Sequence, residues 1–195
     1  MTAYRILRKT SWAGLGENYS GVGPAGESVF LKRITGVAAQ VAVRIAENTR
    51  LLPARDAQGV WLIAPGVEGE SLRWVLAELS RAGGFLKPNE GLSVVERAAR
   101  ALAVLHHRGQ VHGDVCAATV FIATQGEVSL VDTAVASTLG MQAGNGPYRS
   151  EVGALAPESL TTPRSPASDV FQLGALLHEL AMGKTLFAAG TAAEV

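Results

Sequence analysis

The chain has 195 residues, of which 48% are apolar and 17% charged, so it can bury a sizeable core and is not disordered throughout. Basic and acidic residues balance at 17 each, which argues against nucleic acid or an anionic membrane as a partner. The single cysteine, Cys116, excludes an internal disulfide framework. Without a membrane-length apolar run or a signal-peptide pattern, a cytoplasmic protein is expected.

The first third of the sequence is expected to be rich in strands. Alternating residues predict strands at Tyr4–Thr10 and Ser28–Ile34, with a glycine-bearing segment between them. Alanine and valine at helical spacing predict a short helix over Val37–Glu47. A turn-forming stretch predicts that residues 50–53 and 60–64 pair as a hairpin.

The remainder is expected to be mainly helical. Helices are predicted at Ser71–Arg81, from a capping box of Ser93 and Glu96 to Arg108, and at Ser168–Met182 with Ser168 as N-cap. A small hairpin is predicted from residues 120–123 and 127–131, and a long loop over 133–167. Strands first and helices later predict an α+β fold with a cleft between the two parts.

Five motifs follow one another in a characteristic order and spacing. They are Val29-Phe-Leu-Lys32, His112-Gly-Asp114, Asp132-Thr-Ala134, Ala156-Pro-Glu158 and Ser168-Asp-Val-Phe-Gln-Leu-Gly174. The set resembles the protein kinase superfamily, in particular the bacterial Ser/Thr kinases, which carry V-A-I-K, H-R-D, D-F-G and A-P-E at the first four places. The resemblance covers roughly residues 4–188.

This resemblance implies one bilobal domain over residues 1–195. Its strand-rich N-lobe would span about residues 1–64, its hinge about 65–69, and its helical C-lobe about 70–195. The sequence ends soon after the 168–182 helix, so the last helices of the family are expected to be missing. An exposed apolar flank around Leu176, Leu177 and Leu180 is then expected, together with self-association or another protein partner.

The resemblance also assigns roles to individual residues. Lys32 stands where the family binds the phosphates of ATP, Asp114 where it accepts the proton of the substrate hydroxyl, and Asp132 where it holds magnesium. Gly14 and Gly16 stand at the first two glycines of the phosphate-binding loop.

Tyr19 stands at the third glycine of that loop, which makes the loop a weak match. The partner of Lys32 stays open, because Glu47 and Gln40 each suit one of the two relevant spacings.

Four positions depart from the family pattern. Thr119 replaces the metal-binding Asn and is a weaker ligand for magnesium, and Cys116 replaces a lysine that faces the γ-phosphate. Glu151 replaces a threonine that braces the catalytic loop, and Thr133 replaces the phenylalanine of D-F-G. Together they predict impaired phosphoryl transfer.

The adenine slot departs as well. Phe30 replaces the small alanine above the base, and Phe121 the aliphatic residue below it. Two rings facing one another would stack and occupy the volume that the base requires. The alternative is that one ring turns aside, toward the space left by Ala64 at the gatekeeper place.

These departures favour a pseudokinase, a binding or regulatory module without a bound cofactor. The alternative is an active Ser/Thr protein kinase that uses ATP and magnesium, with Lys32, Asp114, Asp132 and, on the metal, Thr119. A small-molecule phosphotransferase, suggested by Gly113, is less favoured because the Asn usual in that class is also missing.

Overall fold

An antiparallel sheet of five strands forms the amino-terminal part of the molecule, in the order β1-β2-β3-β5-β4. The computed structural model describes residues 4–12, 17–34, 52–56, 59–133 and 154–187. The strands are β1 (Arg5–Trp12), β2 (Glu17–Val22), β3 (Ser28–Ile34), β4 (Leu52–Asp56) and β5 (Gly59–Pro65). The predicted helix over 37–47 lies outside the described residues.

Helices and a smaller sheet follow. The helices are α1 (Leu72–Arg81), α2 (Pro88–His107) and α3 (Pro166–Met182), and a 3-10 turn covers Pro157–Leu160. The second sheet has the order β6-β7-β8, with β6 (Glu70–Ser71), β7 (Val120–Ile122) and β8 (Val128–Leu130). The helices and this sheet enclose a core that includes Leu72, Leu102, Val120 and Leu176. The predicted α+β fold is confirmed.

Strand β2 was not expected, because its segment contains glycine. It pairs with β1 on one side and with β3 on the other, so its backbone is bonded along both edges. At Gly21 a Cβ atom would lie 2.5 Å from a methyl carbon of Leu31 and 2.7 Å from the Arg5 carbonyl oxygen. Glycine in this strand therefore marks close packing and not a turn.

Helix α2 begins six residues earlier than the capping box of Ser93 and Glu96 predicts, since its N-cap is Lys87, so that prediction is wrong. Pro88 occupies the first turn, where its fixed φ suits the helix and its missing N–H costs nothing. The Glu90 carboxylate accepts a hydrogen bond of 2.9 Å from the Lys87 backbone N–H, which closes the helix start.

Helix α3 is capped by Ser165 and not, as predicted, by Ser168. The Ser165 hydroxyl accepts the Ser168 backbone N–H at 3.3 Å, and Pro166 again stands in the first turn. The helix ends, as predicted, at Gly183, whose φ of 68° is left-handed. Among the described helices, none is long and apolar enough to cross a bilayer.

The apolar flank predicted on α3 differs from the one observed. Leu176 is buried in the core and Leu180 packs against it, so only Leu177 of the three predicted leucines is exposed. A different set of exposed, uncharged residues follows one face of the helix. This α3 stripe consists of Ala167, Val170, Gly174, Leu177 and Ala181.

Candidate functional site

Lys32 and Asp132 meet although a hundred residues separate them in the sequence. The Lys32 side chain points inward from β3 and is 2% exposed, and its Nζ lies 2.5 Å from Asp132 Oδ2. Asp132 follows β8 with a φ of 63°, a left-handed conformation that few residues other than glycine, asparagine and aspartate adopt. In this conformation the Asp132 carboxylate lies beside the Lys32 ammonium group of β3. The attraction between the two opposite charges offsets the cost of removing each from water.

The loop of His112, Gly113 and Asp114 is held by the first turn of α3. Asp169, which is fully buried, accepts the backbone N–H of His112 at 2.8 Å and that of Gly113 at 2.7 Å. The Nε2 atom of His106 lies 2.8 Å from the same carboxylate. A buried charged acceptor thus fixes the backbone just before Asp114.

Gln172, one turn further along α3, holds the next residue of the loop. Its side-chain oxygen accepts the Val115 backbone N–H at 3.1 Å. The bracing roles of Asp169 and Gln172 were not predicted from the sequence. The available signal was two polar residues three apart on a mostly apolar helix, since buried polar groups are nearly always hydrogen-bonded.

His112 joins the loop to the segment that carries Asp132. Its Nε2 donates to the Val131 carbonyl at 2.9 Å, and its Nδ1 accepts the Asp114 backbone N–H at 3.2 Å. Burial lowers the pKa of His112, and this outweighs the opposite influence of the Asp169, Asp114 and Asp132 carboxylates. The imidazole is therefore neutral at pH 7 and bonded at both nitrogens.

This histidine predicts that stability falls in mild acid. The unfolded chain binds a proton at His112 below about pH 6.5, whereas the folded chain resists it, so the free energy of unfolding decreases as the pH falls below that value. The expected slope from this group reaches about 1.4 kcal/mol per pH unit. Urea unfolding between pH 7.5 and 5 measures it.

The His112→Gln variant should have a lower free energy of unfolding over the whole pH range. Its free energy of unfolding should also decrease less steeply below pH 6.5 than that of the wild type. His107→Gln, at an exposed position at the end of α2, is the matched control and should keep the wild-type slope. Equal slopes in wild type and His112→Gln would contradict the assignment.

Thr119 was expected to be a ligand of magnesium, and it lies in the same loop as Asp114. Its hydroxyl donates to the Asp114 carbonyl at 2.6 Å, accepts the Cys116 backbone N–H at 3.1 Å, and is fully buried. To bind magnesium, the oxygen would have to give up bonds that shape the loop. Ligation by Thr119 stays a prediction, and this geometry opposes it.

The two phenylalanines of the slot are in contact. Their ring centroids are 5.8 Å apart and the planes are nearly perpendicular, at 89°. Phe30 and Phe121 are both buried and form a cluster with Val131, against which Ala64 packs. The contact expected from the sequence is present, edge-to-face in place of parallel, an arrangement that aromatic pairs favour over a face-to-face sandwich.

Among the described residues, the cavity beside this contact is small for a nucleoside triphosphate. The cavity bounded by Phe30, Lys32 and Asp132 measures about 260 Å³, below the roughly 300–1,000 Å³ usual for small-molecule sites. At the start of the connection after β5, Pro65 has no N–H and the Gly66 N–H donates to the Ser28 carbonyl at 2.9 Å, so neither residue offers a backbone donor to a ligand.

Tyr19, at the place of the third loop glycine, lies within β2. Tyr19 packs against the buried cluster of Val29, Leu31, Trp61 and Ile63, and its ring lies 5.5 Å from that of Trp61. Its neighbour Asn18 pairs with Lys32 across the strands and is fully buried, and within the described part of the chain neither of its side-chain polar atoms has a hydrogen-bond partner. Several predicted site residues lie outside the described residues. They are the loop glycines Gly14 and Gly16, the two candidate partners of Lys32, Gln40 and Glu47, and Glu151.

A comparison with known families agrees with this geometry. Residues 46–195 match the model of the protein kinase domain, which is most of the chain. The chain belongs to the protein kinase family. The resemblance to the protein kinase superfamily that the sequence predicts is thereby confirmed.

Bacterial Ser/Thr kinases are among its relatives. Serine/threonine-protein kinase PknA of Mycobacterium tuberculosis is 32% identical over 142 residues, which cover 68% of this chain and 31% of PknA. Serine/threonine-protein kinase PknL of the same species is 28% identical over 179 residues, covering 88% of this chain and 43% of PknL. Serine/threonine-protein kinases drp72 of Corynebacterium efficiens is 28% identical over 144 residues, which cover 69% of this chain and 26% of that relative. The kinase domain described here thus spans less than half the length of each relative.

Proposed function

We propose that this kinase domain is a pseudokinase, a binding or regulatory module in which phosphoryl transfer is impaired or absent. The observation that carries the proposal is the buried edge-to-face contact of Phe30 and Phe121, which fills the adenine slot from both sides. The bonds of the Thr119 hydroxyl to its own loop support it, since they oppose a second magnesium ligand. Neither ATP nor magnesium is part of the proposed working state.

An active Ser/Thr protein kinase is the second candidate. It is favoured by the Lys32–Asp132 ion pair and by the braced loop that carries Asp114, because phosphoryl transfer depends mainly on positioning and charge neutralisation. Against it stands Cys116, which provides no positive charge and is buried. ATP and magnesium would be its cofactors.

A transfer assay separates the two candidates. The chain is incubated with labelled ATP, magnesium and generic protein substrates, next to the Asp114→Asn variant. We expect no incorporation above that variant, into either the substrates or the chain itself. Stoichiometric labelling of the wild type that Asp114→Asn abolishes would overturn the pseudokinase proposal and establish the second candidate.

A second copy of the chain is the proposed partner, at the α3 stripe. Val170 is 61% and Leu177 37% exposed, although both are large and apolar. Between them, a Cβ added at Gly174 would have no atom of the described residues within 4 Å, so another backbone can approach closely there. A helix face of small and apolar residues can pack on its own copy about a two-fold axis. The balanced charge gives no reason to propose nucleic acid or a membrane instead, and a cytoplasmic location is proposed.

Leu177→Lys should abolish this self-association. A charge in the middle of the stripe would have to be buried against an apolar partner, which is costly. Sedimentation velocity should show a concentration-dependent dimer for the wild type and a monomer for the variant. Leu92→Lys introduces the same charge at an exposed leucine on α2, outside the α3 stripe, and should leave the dimer intact. A wild-type monomer at high concentration would contradict the proposed partner.

A further inference from the structure

The two sheets of the molecule are connected along one side and at the centre. The chain itself runs from β5 to β6 through residues 66–69, and β5 lies next to β3 in the first sheet. From β3, Phe30 contacts Phe121, and the Lys32 Nζ lies 2.5 Å from Asp132 Oδ2. None of these connections reaches β1, at the far edge of the sheet, so they leave that edge able to move away from the second sheet.

An ion pair joins this far edge to the second sheet. The guanidinium group of Arg8, on β1, pairs with the carboxylate of Glu70, at the start of β6. β1 is two strands away from β3, and neighbouring strands lie about 4.8 Å apart, so β1 is roughly 10 Å from the contacts that β3 makes. At that distance the ion pair opposes a swing of β1 away from the second sheet.

A β-bulge places Arg8 on the face that this contact requires. The register of β1 shifts by one residue just before Arg8, because Leu7 is an extra residue in the strand. Arg8 pairs with Ser20, which pairs in turn with Phe30, and residues paired across a sheet project from the same face. Arg8 therefore lies on the face of Phe30, which Leu7 would occupy without the bulge.

The central contacts and the ion pair at the edge differ in their exposure to water. Phe30, Phe121 and Lys32 are buried, whereas the Arg8 side chain is 53% and the Glu70 side chain 19% exposed. Salt screens charges at the surface much more than charges in the interior. The ion pair at the edge is therefore a contact that ions in solution can weaken while the central contacts persist.

We propose that the Arg8–Glu70 ion pair is a latch that controls how far the cleft between the two sheets opens. With the latch closed, the sheets stay together and Lys32 is shielded. At high ionic strength the latch is released, and the β1 edge swings away from the second sheet and exposes Lys32 transiently. The latch works in the same way in a pseudokinase and in an active kinase, so its test is independent of the proposed function.

Acylation of Lys32 measures the opening. The chain is treated with an N-hydroxysuccinimide ester, and mass spectrometry compares the labelling rate of Lys32 with that of the exposed Lys87. Glu70→Gln should raise the Lys32 rate by roughly two- to five-fold, as expected for the loss of one exposed ion pair. Raising the salt concentration from about 0.05 M to about 1 M should raise the wild-type rate to a similar extent and leave the rate of Glu70→Gln nearly unchanged.

Lys9→Gln is the matched control. It removes an ion pair of similar exposure, with Glu17, but both residues belong to the first sheet. Its Lys32 rate should equal that of the wild type, which distinguishes opening of the cleft from global unfolding. Arg8→Gln combined with Glu70→Gln should label no faster than either single variant, because both changes remove the same pair. Equal rates in the wild type and Glu70→Gln, or a rise as large in Lys9→Gln, would refute the latch.

Discussion

Phe30→Ala is expected to lower the free energy of unfolding by about 3–5 kcal/mol, the range for truncating a phenylalanine in a packed core. The ring is buried against Phe121 and Val131, so its removal leaves a cavity between strand β3 and strand β7. Phe121→Ala should cost a similar amount for the same reason. For a domain of ordinary stability, about 5–15 kcal/mol, such a loss is severe.

Urea unfolding of wild type, Phe30→Ala and Phe85→Ala checks this expectation. Phe85 is 79% exposed, so its truncation should change the free energy of unfolding by no more than about 0.5 kcal/mol. A loss in Phe30→Ala as small as in Phe85→Ala would show that the two rings do not join the two sheets.

Asp169→Ala is the second change with a large expected effect. It removes the acceptor of two buried backbone N–H groups, those of His112 and Gly113. Each unsatisfied group costs about 1–3 kcal/mol, so the total loss of stability should be about 2–6 kcal/mol. The loop that carries Asp114 should also become mobile, and hydrogen exchange of the amides of residues 112–115 should accelerate.

Glu96→Ala is the matched control for this change, because it removes an exposed carboxylate that pairs with Arg100 on the surface of α2. Surface pairs of this kind contribute about 0–1 kcal/mol. Slow exchange and wild-type stability in Asp169→Ala would mean that α3 does not hold the loop.

The sequence was sufficient to predict most of the fold. Strands β3 and β5 lie where they were predicted. The patterns that predict them, alternation along Ser28–Ile34 and the turn before β5, depend on contacts between near neighbours. β2 was missed because its stability depends on pairing with β1 and β3, which no local pattern shows. The starts of α2 and α3 were misplaced because proline and the residue before it, and not the serines further along, set the first turn.

The site could be predicted only in part. Lys32, Asp114 and Asp132 were found because their spacing matches a family pattern. The braces from Asp169 and Gln172 depend on how α3 packs against the loop, and the inward burial of Asn18 depends on the strand register. Neither is visible in one-dimensional spacing. The edge-to-face angle of Phe30 and Phe121 depends on rotamers, which a sequence does not specify.

Isothermal titration of ATP and magnesium into the wild type, Phe30→Ala and Phe85→Ala tests the central claim, that aromatic rings occupy the adenine slot, most directly. Phe30→Ala removes one of the two buried rings and so opens the slot, whereas Phe85→Ala removes an exposed ring and is the control. We expect no measurable binding to the wild type or to Phe85→Ala and measurable binding to Phe30→Ala. Binding of ATP to the wild type as tight as to Phe30→Ala would contradict the claim, because a slot filled by two rings cannot also hold adenine.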